Sequence, residues 1–259
     1  MLTITSAQLL AWLGAFLWPL VRILGVMTSA PIFSNRSIPV TVRIGMGVML
    51  TLIVAPQLPP MPDQDPLSWT GLLILINEYL IGIGIGFSWR IVFTGIEMAG
   101  ELIGSTMGLS FATQFDPMSQ GRSSAVSQLL SMLTVLLTLS ANLHLLFLEV
   151  LIQSFQSLPV ALESMDRSFF KQLALWGAHM FAIGVQLSLP VVTALLIVNM
   201  ALGVLTRAAP QLNLFSIGFP ITLSAGIVMI GLCLPYWNEP ILKMLREGIQ
   251  MIQTITRAL

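Results

Sequence analysis

The apolar residues of this 259-residue chain are gathered in six runs that short polar segments separate. The runs cover residues 8–31, 40–56, 69–111, 129–152, 173–205 and 212–235. A helix needs about 20 apolar residues to cross the hydrocarbon core of a bilayer, and most of the runs reach that length. The pattern predicts an all-α integral membrane protein with about six long helices, and five to seven helices are compatible with it.

Prolines inside the apolar runs predict that some of these helices are kinked. Pro19, Pro190 and Pro220 each remove one helical hydrogen bond. Run 173–205 is therefore either one kinked helix or two helices joined at Pro190, and run 69–111 is long enough for more than one helix.

The last segment of the chain, 236–259, has a different pattern. Ile241, Leu245, Ile249 and Ile252 recur at helical spacing, opposite a charged face. This pattern predicts a C-terminal amphipathic helix that lies at the membrane interface or packs on a partner.

The composition supports the membrane class. Hydrophobic residues make up 56% of the chain, charged residues only 8%, and the mean hydropathy is +0.90. Soluble domains carry about 25% charged residues. Eleven basic and eleven acidic residues leave no net charge, so no basic surface for nucleic acid is expected. The single cysteine, Cys233, excludes a disulfide within the chain.

Residues 100–122 are the most informative stretch. Gly100, Gly104 and Gly108 lie on one helical face, and such small-residue faces let helix backbones approach closely. A polar segment with proline and glycine follows, between two membrane-length runs. Irregular backbone at membrane depth is tolerated where protein buries it or where it lines a water-filled cavity. The stretch predicts a tightly packed helix followed by a loop in or beside a pore, although an ordinary surface loop is the commoner explanation of such a composition.

Ionisable residues inside apolar runs are functional candidates. They are Arg22, Glu78, Arg90, Glu97, Glu101, His144 and Glu149. The first interpretation is that they pair with one another or with a neighbouring subunit, because a buried charge must be compensated. The second, a proton or ion pathway, requires groups aligned along one helix face, and the spacing is too scattered for that.

Motifs of catalysis and metal binding are absent from the sequence. It contains no G-x-S-x-G, no H-E-x-x-H and no paired cysteines or histidines at metal-ligand spacing. We therefore expect no enzyme activity, no cofactor and no metal.

Three segments of the chain resemble one known family. They are PIFSNRSIPVTVRIG (31–45), GELIGSTMGLSFATQFDPMSQGR (100–122) and TRAAPQLNLFSIGFPITLSAGI (206–227). The third is the most specific, since Pro210, Asn213, Phe215, Gly218 and Pro220 stand in the order that the family shows. The chain is similar over its whole length to the FliR family, the R subunit of the export gate in bacterial flagellar type III secretion. Virulence-system proteins of the SctT kind are more distant cousins.

The resemblance implies a structural and gating subunit of a protein-conducting channel in the bacterial inner membrane, at the flagellar basal body. Its partners would be P-type (FliP) and Q-type (FliQ) subunits, an FlhB-type switch protein, membrane lipid and the unfolded flagellar proteins that are exported. The helices would be arranged as hairpins in a helical multi-subunit gate. Residues 1–160 would form a P-like portion and residues 161–259 a Q-like portion.

The resemblance also assigns roles to residues. A plug loop over 111–122 would close the pore, with the residues Phe111, Gln114, Phe115, Asp116, Pro117, Met118 and Gly121. The helix-packing role of Gly100, Gly104 and Gly108 comes from their spacing and not from the resemblance. A cytoplasmic turn would contain Arg207, Pro210, Gln211 and Asn213.

Two other functions are weighed against this one. A small-solute secondary transporter suits broken helices and buried charges, but it should show inverted repeats, and the two halves of this sequence are unlike. An intramembrane enzyme needs a nucleophile and a base on facing helices, whereas His144 and His179 each stand alone in apolar surroundings.

Overall fold

A computed structural model of the chain describes residues 6–35, 37–62, 64–109, 124–161, 167–209 and 214–257. The α-helices in these residues are α1 (Ser6–Ser29), α2 (Val40–Val54), α3 (Trp69–Thr106), α4 (Ala125–Ser140), α5 (Leu143–Ser157), α6 (Arg167–Ala208) and α7 (Leu214–Arg257). One 3-10 turn, Ala55–Gln57, follows α2. Five helices are long and apolar enough to cross a membrane, or six if α4 and α5 count as one broken span. The predicted all-α membrane class is confirmed.

The long helices are more continuous than the sequence predicted. α3 is one helix of 38 residues, and α6 is one helix of 42 residues that contains Pro190. The C-terminal amphipathic segment continues the preceding run, because α7 extends through Pro220, Pro235 and Pro240 for 44 residues. A proline removes one hydrogen bond, whereas a loop in apolar surroundings would leave several backbone groups unsatisfied.

The apolar face of that C-terminal segment is also placed differently from the prediction. Ile241, Leu245, Ile249 and Ile252 are at most 1% exposed within this chain. Their burial does not need a membrane surface or a partner, so the segment is part of the chain's own core.

The run 129–152 was predicted as one helix and is two, α4 and α5. The break lies at Asn142, whose φ of 54° and ψ of 23° are left-handed. This conformation ends a helix, and asparagine is one of the few residues other than glycine that adopts it at low cost. The backbone conformation of one residue, Asn142, therefore accounts for the break between α4 and α5.

The chain divides into two compact units that the long helices connect. Unit 1 comprises Met1–Ile91, Asn142–Gly177 and Arg246–Leu259, and unit 2 comprises Val92–Ala141 and Ala178–Leu245. Each unit thus contains residues from both sides of the predicted boundary at residue 160. The predicted likeness of residues 1–160 and 161–259 to two kinds of subunit is a separate matter and stays a prediction.

Unit 1 is built on a close crossing of α1 and α3. A Cβ atom added to Gly82 would collide with the backbone carbonyl oxygen of Arg22, and one added to Gly25 would lie 2.6 Å from the carbonyl oxygen of Tyr79. The two backbones are therefore in direct contact, which only glycine permits. Nearby, the rings of Trp89 and Phe147 stack with centroids 4.4 Å apart.

The Gly82→Ala variant is expected to lose about 1–3 kcal/mol of stability, because backbone atoms oppose the new methyl group. The matched control is Gly177→Ala, since a Cβ at Gly177 has no atom within 4 Å. Alanine there should stabilise α6 by up to about 1 kcal/mol. Melting temperatures in mild detergent should move in opposite directions for the two variants. An unchanged or raised melting temperature for Gly82→Ala would contradict the close crossing.

Large apolar side chains also cover much of the outer surface. Val40, Met49, Leu52 and Ile53 of α2 are 60–65% exposed. In α6, Met200 is 71% exposed. Continuous apolar surface of this kind marks contact with lipid or with other proteins.

Candidate functional site

The C-terminus of α3 is fixed by glycine. Gly108 has a φ of 89°, a left-handed value that glycine adopts without strain. Its N–H donates to the carbonyl of Ser105 at 3.0 Å, and the N–H of Leu109 donates to the carbonyl of Gly104 at 3.0 Å. These two bonds form a Schellman motif, which satisfies the last carbonyls of a helix. The chain therefore leaves α3 in a defined direction, just before segment 110–123.

The N-terminus of α4 is fixed by Ser124, directly after that segment. The hydroxyl oxygen of Ser124 accepts the N–H of Ser127 at 3.1 Å, which is a helix N-cap. The Ser124 N–H donates to Glu101 Oε1 at 2.7 Å, and its hydroxyl donates to the carbonyl of Gly100 at 3.3 Å. A carboxylate at this position is also favoured by the dipole of α4. We call Gly100, Glu101, Gly104 and Ser124 the basal clamp of segment 110–123.

Two glycines of the basal clamp let α3 and α4 touch. A Cβ on Gly100 would collide with the backbone of Ser127, and one on Gly104 would lie 2.9 Å from the hydroxyl oxygen of Ser124. Gly108 contributes differently, through its backbone conformation. The atoms nearest to Gly100 and Gly104 belong mainly to Ser127 and Ser124. The predicted role of Gly100, Gly104 and Gly108 in helix packing stays a prediction.

Below the basal clamp, Glu97 continues the contact with α4. The hydroxyl of Ser127 donates to the backbone carbonyl of Glu97 at 2.9 Å, and the hydroxyl of Ser131 donates to Glu97 Oε1 at 3.0 Å. Sequence reasoning singled out Glu97 and Glu101 but missed their serine partners. The sequence did contain a signal for these partners. Ser124, Ser127 and Ser131 recur at helical spacing, as Glu97 and Glu101 do, so each set lies on one helical face.

The end of α3 is also held by α7, within unit 2. The hydroxyl of Thr222 donates to the carbonyl of Met107 at 3.2 Å. A Cβ on Gly226 would lie 2.5 Å from Met107 Cγ, so α7 is closely packed here. The hydrogen bonds at the end of α3 and the contact with α7 thus fix the point at which the chain enters segment 110–123.

The strongest polar contact in unit 1 is the ion pair of Arg22 and Glu78. Both side chains are 0% exposed. Arg22 Nε donates to Glu78 Oε2 at 2.6 Å, and Nη2 donates to Oε1 at 2.9 Å. The remaining N–H groups reach the carbonyl and hydroxyl oxygens of Ser154, at 3.0 and 3.3 Å, and the carbonyl of Leu158, at 2.8 Å. All five guanidinium donors are used. The prediction that ionisable residues pair with one another holds for these two.

The other candidate residues are distributed as follows. Arg90, Glu101 and Glu149 are exposed, and His144 is partly buried. Arg207 is exposed at the end of α6. The remaining predicted site residues lie outside the described residues: Phe111, Gln114, Phe115, Asp116, Pro117, Met118, Gly121, Pro210, Gln211 and Asn213. Across the part of the chain that the structure describes, no group of three or more His, Cys, Asp or Glu side chains is arranged to hold a metal ion.

The Ser124→Ala variant tests the basal clamp. Loss of an N-cap hydroxyl costs about 0.5–2 kcal/mol, and here a bond to Gly100 is lost as well. Amide hydrogen exchange over residues 124–128 should become several-fold faster. Ser140→Ala is the control, because Ser140 is exposed and bonds only to Leu137 in its own helix. Equal exchange in Ser124→Ala and in the unchanged protein would show that the cap does not hold α4 in place.

Comparison with known proteins places the chain in a family. The family described as "Bacterial export proteins, family 1" matches residues 13–248. The flagellar biosynthetic protein FliR of Pectobacterium carotovorum subsp. carotovorum is 44% identical over 235 residues, which are 91% of this chain and 90% of the relative. FliR of Escherichia coli K12 is 41% identical over 91% of this chain and 90% of the relative. FliR of Bacillus subtilis 168 is 31% identical over 85% of this chain and 86% of the relative.

The matches extend over nearly the whole chain and agree with the expected family. It is a family of export proteins rather than of enzymes. The chain belongs to the FliR family of bacterial export proteins.

Proposed function

We propose that this chain is a structural and gating subunit of the flagellar type III protein export channel. In this role it helps to form the pore through which unfolded flagellar proteins cross the bacterial inner membrane at the basal body. The proposal is supported by membership of an export family and by relatives that are named flagellar biosynthetic proteins. It needs no cofactor and no catalytic residue.

The basal clamp is the observation that carries the gating part of the proposal. Leu109 and Ser124 are both hydrogen-bonded to the last turns of α3, at Gly104 and at Gly100 and Glu101. Both ends of segment 110–123 are thus anchored on one helix. A segment anchored in this way would move aside for an exported chain while its anchors on α3 stay in place.

The residues proposed to close the pore are within that segment. Phe111, Phe115 and Met118 supply apolar bulk, Gly108 fixes the end at α3, and Gly121 supplies backbone freedom near the other end. Gln114, Asp116 and Pro117 complete the plug.

The exposed apolar faces of α2 and α6 support the proposed partners. FliP and FliQ subunits and membrane lipid would cover these faces, which would otherwise meet water. The turn after Arg207 would face the cytoplasm and the FlhB-type switch protein.

The proposal is tested by deleting the gene for this chain in its host. Hook and filament proteins should then be made but retained in the cells, and a plasmid copy of the gene should restore their secretion. Normal secretion of flagellar proteins by the deletion strain would refute the proposed function.

A further inference from the structure

A small surface pocket beside the basal clamp is lined mainly by polar side chains. Its lining residues are Glu97 of α3 and Ser127, Gln128, Ser131 and Met132 of α4. Its volume is about 250 Å³. Met132 stands at the surface, 68% exposed. The pocket lies entirely in unit 2.

The carboxylate in this pocket has one hydrogen-bond partner from the chain itself. Glu97 is half-buried and lies in a candidate membrane span with a mean hydropathy of 1.7. Its Oε1 accepts one hydroxyl, from Ser131 at 3.0 Å. A carboxylate accepts about four hydrogen bonds. In the described part of the chain, no Lys, Arg or His side chain forms an ion pair with Glu97.

The same chain compensates the charge that it buries completely. Glu78 meets Arg22 in a two-bond ion pair, and every other donor of that guanidinium is used. The carboxylate of Glu97 has one hydroxyl partner instead, Ser131, and no cation among the described residues. If a neighbouring subunit covered this pocket without a cation, the uncompensated carboxylate would strongly oppose assembly.

We infer that the Glu97 pocket receives a lysine or arginine side chain from a neighbouring subunit. The pocket offers the carboxylate of Glu97 and the hydroxyl oxygen of Ser131, which are acceptors suited to a cation with several N–H donors. Met132 offers an apolar surface for the methylene stem of such a side chain. This inference rests on the proposed function, because it requires a multi-subunit assembly.

The position of the pocket gives the contact a consequence. Ser127 and Ser131 follow Ser124 on α4, and Glu97 precedes Glu101 on α3 by one turn. A subunit bound here would therefore hold together the two helices that form the basal clamp. Assembly would reinforce the base of the proposed plug.

The test uses the complex that this chain forms when it is co-expressed with FliP and FliQ. A photo-reactive phenylalanine analogue replaces Met132, and cross-linked peptides are identified by mass spectrometry. The peptide should come from another subunit and contain a lysine or arginine. Glu97→Gln should lower the yield of complex about tenfold, which corresponds to about 1.4 kcal/mol. Glu149→Gln is the control, because Glu149 is exposed and bonds to Gln153 of its own helix.

Three results would overturn the inference. They are an undiminished yield of complex with Glu97→Gln, a cross-linked peptide without lysine or arginine, and a cross-link to residues 110–123 of the same chain. A folding defect is separated from a lost partner by a charge swap. The Glu97→Lys chain should form the complex again only when the cross-linked basic residue of the partner is changed to glutamate. If the unchanged chain forms no complex with FliP and FliQ, the proposed function itself fails.

Discussion

Deletion of residues 112–120 is expected to make the membrane leaky to ions while the export complex still assembles. The deletion removes Phe115 and Met118, two of the three side chains that supply apolar bulk to the proposed plug. It leaves Gly108 and Ser124, and with them the ends of α3 and α4, in place. Ion conductance of the purified complex in a planar bilayer should rise from near zero to that of an open pore. Cells that carry the variant should lose membrane potential.

A second variant separates the blocking side chains from the length of the segment. Residues 112–120 are replaced by an equal number of glycines and serines, which keeps the backbone and removes the apolar bulk. We expect a leak smaller than that of the deletion, because a flexible chain still fills part of the lumen. Conductance equal to that of the unchanged complex in both variants would exclude this segment as the plug.

Substitution of Arg22 by methionine is expected to cause the largest loss of stability in the chain. The change removes five hydrogen bonds and leaves the carboxylate of Glu78 without its cation in a fully buried position. Breaking one partner of a buried pair costs about 3–5 kcal/mol. Total unfolding free energies of proteins are about 5–15 kcal/mol, so this is a severe change. The amount of chain in the membrane fraction, measured by immunoblot, should fall several-fold.

The double variant Arg22→Met, Glu78→Leu should recover most of that amount. Well-packed apolar residues often replace a buried ion pair without loss. Arg90→Met is the matched control, because Arg90 is exposed in the same helix as Glu78, and its effect should stay within about 0.5 kcal/mol. A wild-type level of the single variant Arg22→Met would mean that the ion pair does not hold unit 1 together.

The lengths of the apolar runs were enough to predict the fold class and the approximate helices. The predicted run 40–56 corresponds to the helix Val40–Val54, and the predicted run 173–205 corresponds to the helix Arg167–Ala208. The amphipathic pattern of 236–259 did not show that this segment continues the helix before it, through Pro235 and Pro240. The break at Asn142 was missed because one left-handed residue changes neither hydropathy nor periodicity.

The candidate site could be predicted only in part. The glycine spacing and the two glutamates of α3 were visible in sequence, and so was the segment that follows them. The sequence did not show which charged residues pair with each other. Arg22 and Glu78 are 56 residues apart, and their pairing depends on how α1 crosses α3. Local hydrogen bonds such as that of Ser124 to Glu101 depend in the same way on the register between two helices.

The account is tested most directly by the mass of the intact complex. The chain would be co-expressed with FliP and FliQ, purified in mild detergent through a tag on this chain, and weighed by native mass spectrometry. We expect one stable complex with a single copy of this chain and several copies of each partner. A uniform homo-oligomer that contains neither FliP nor FliQ would contradict the account.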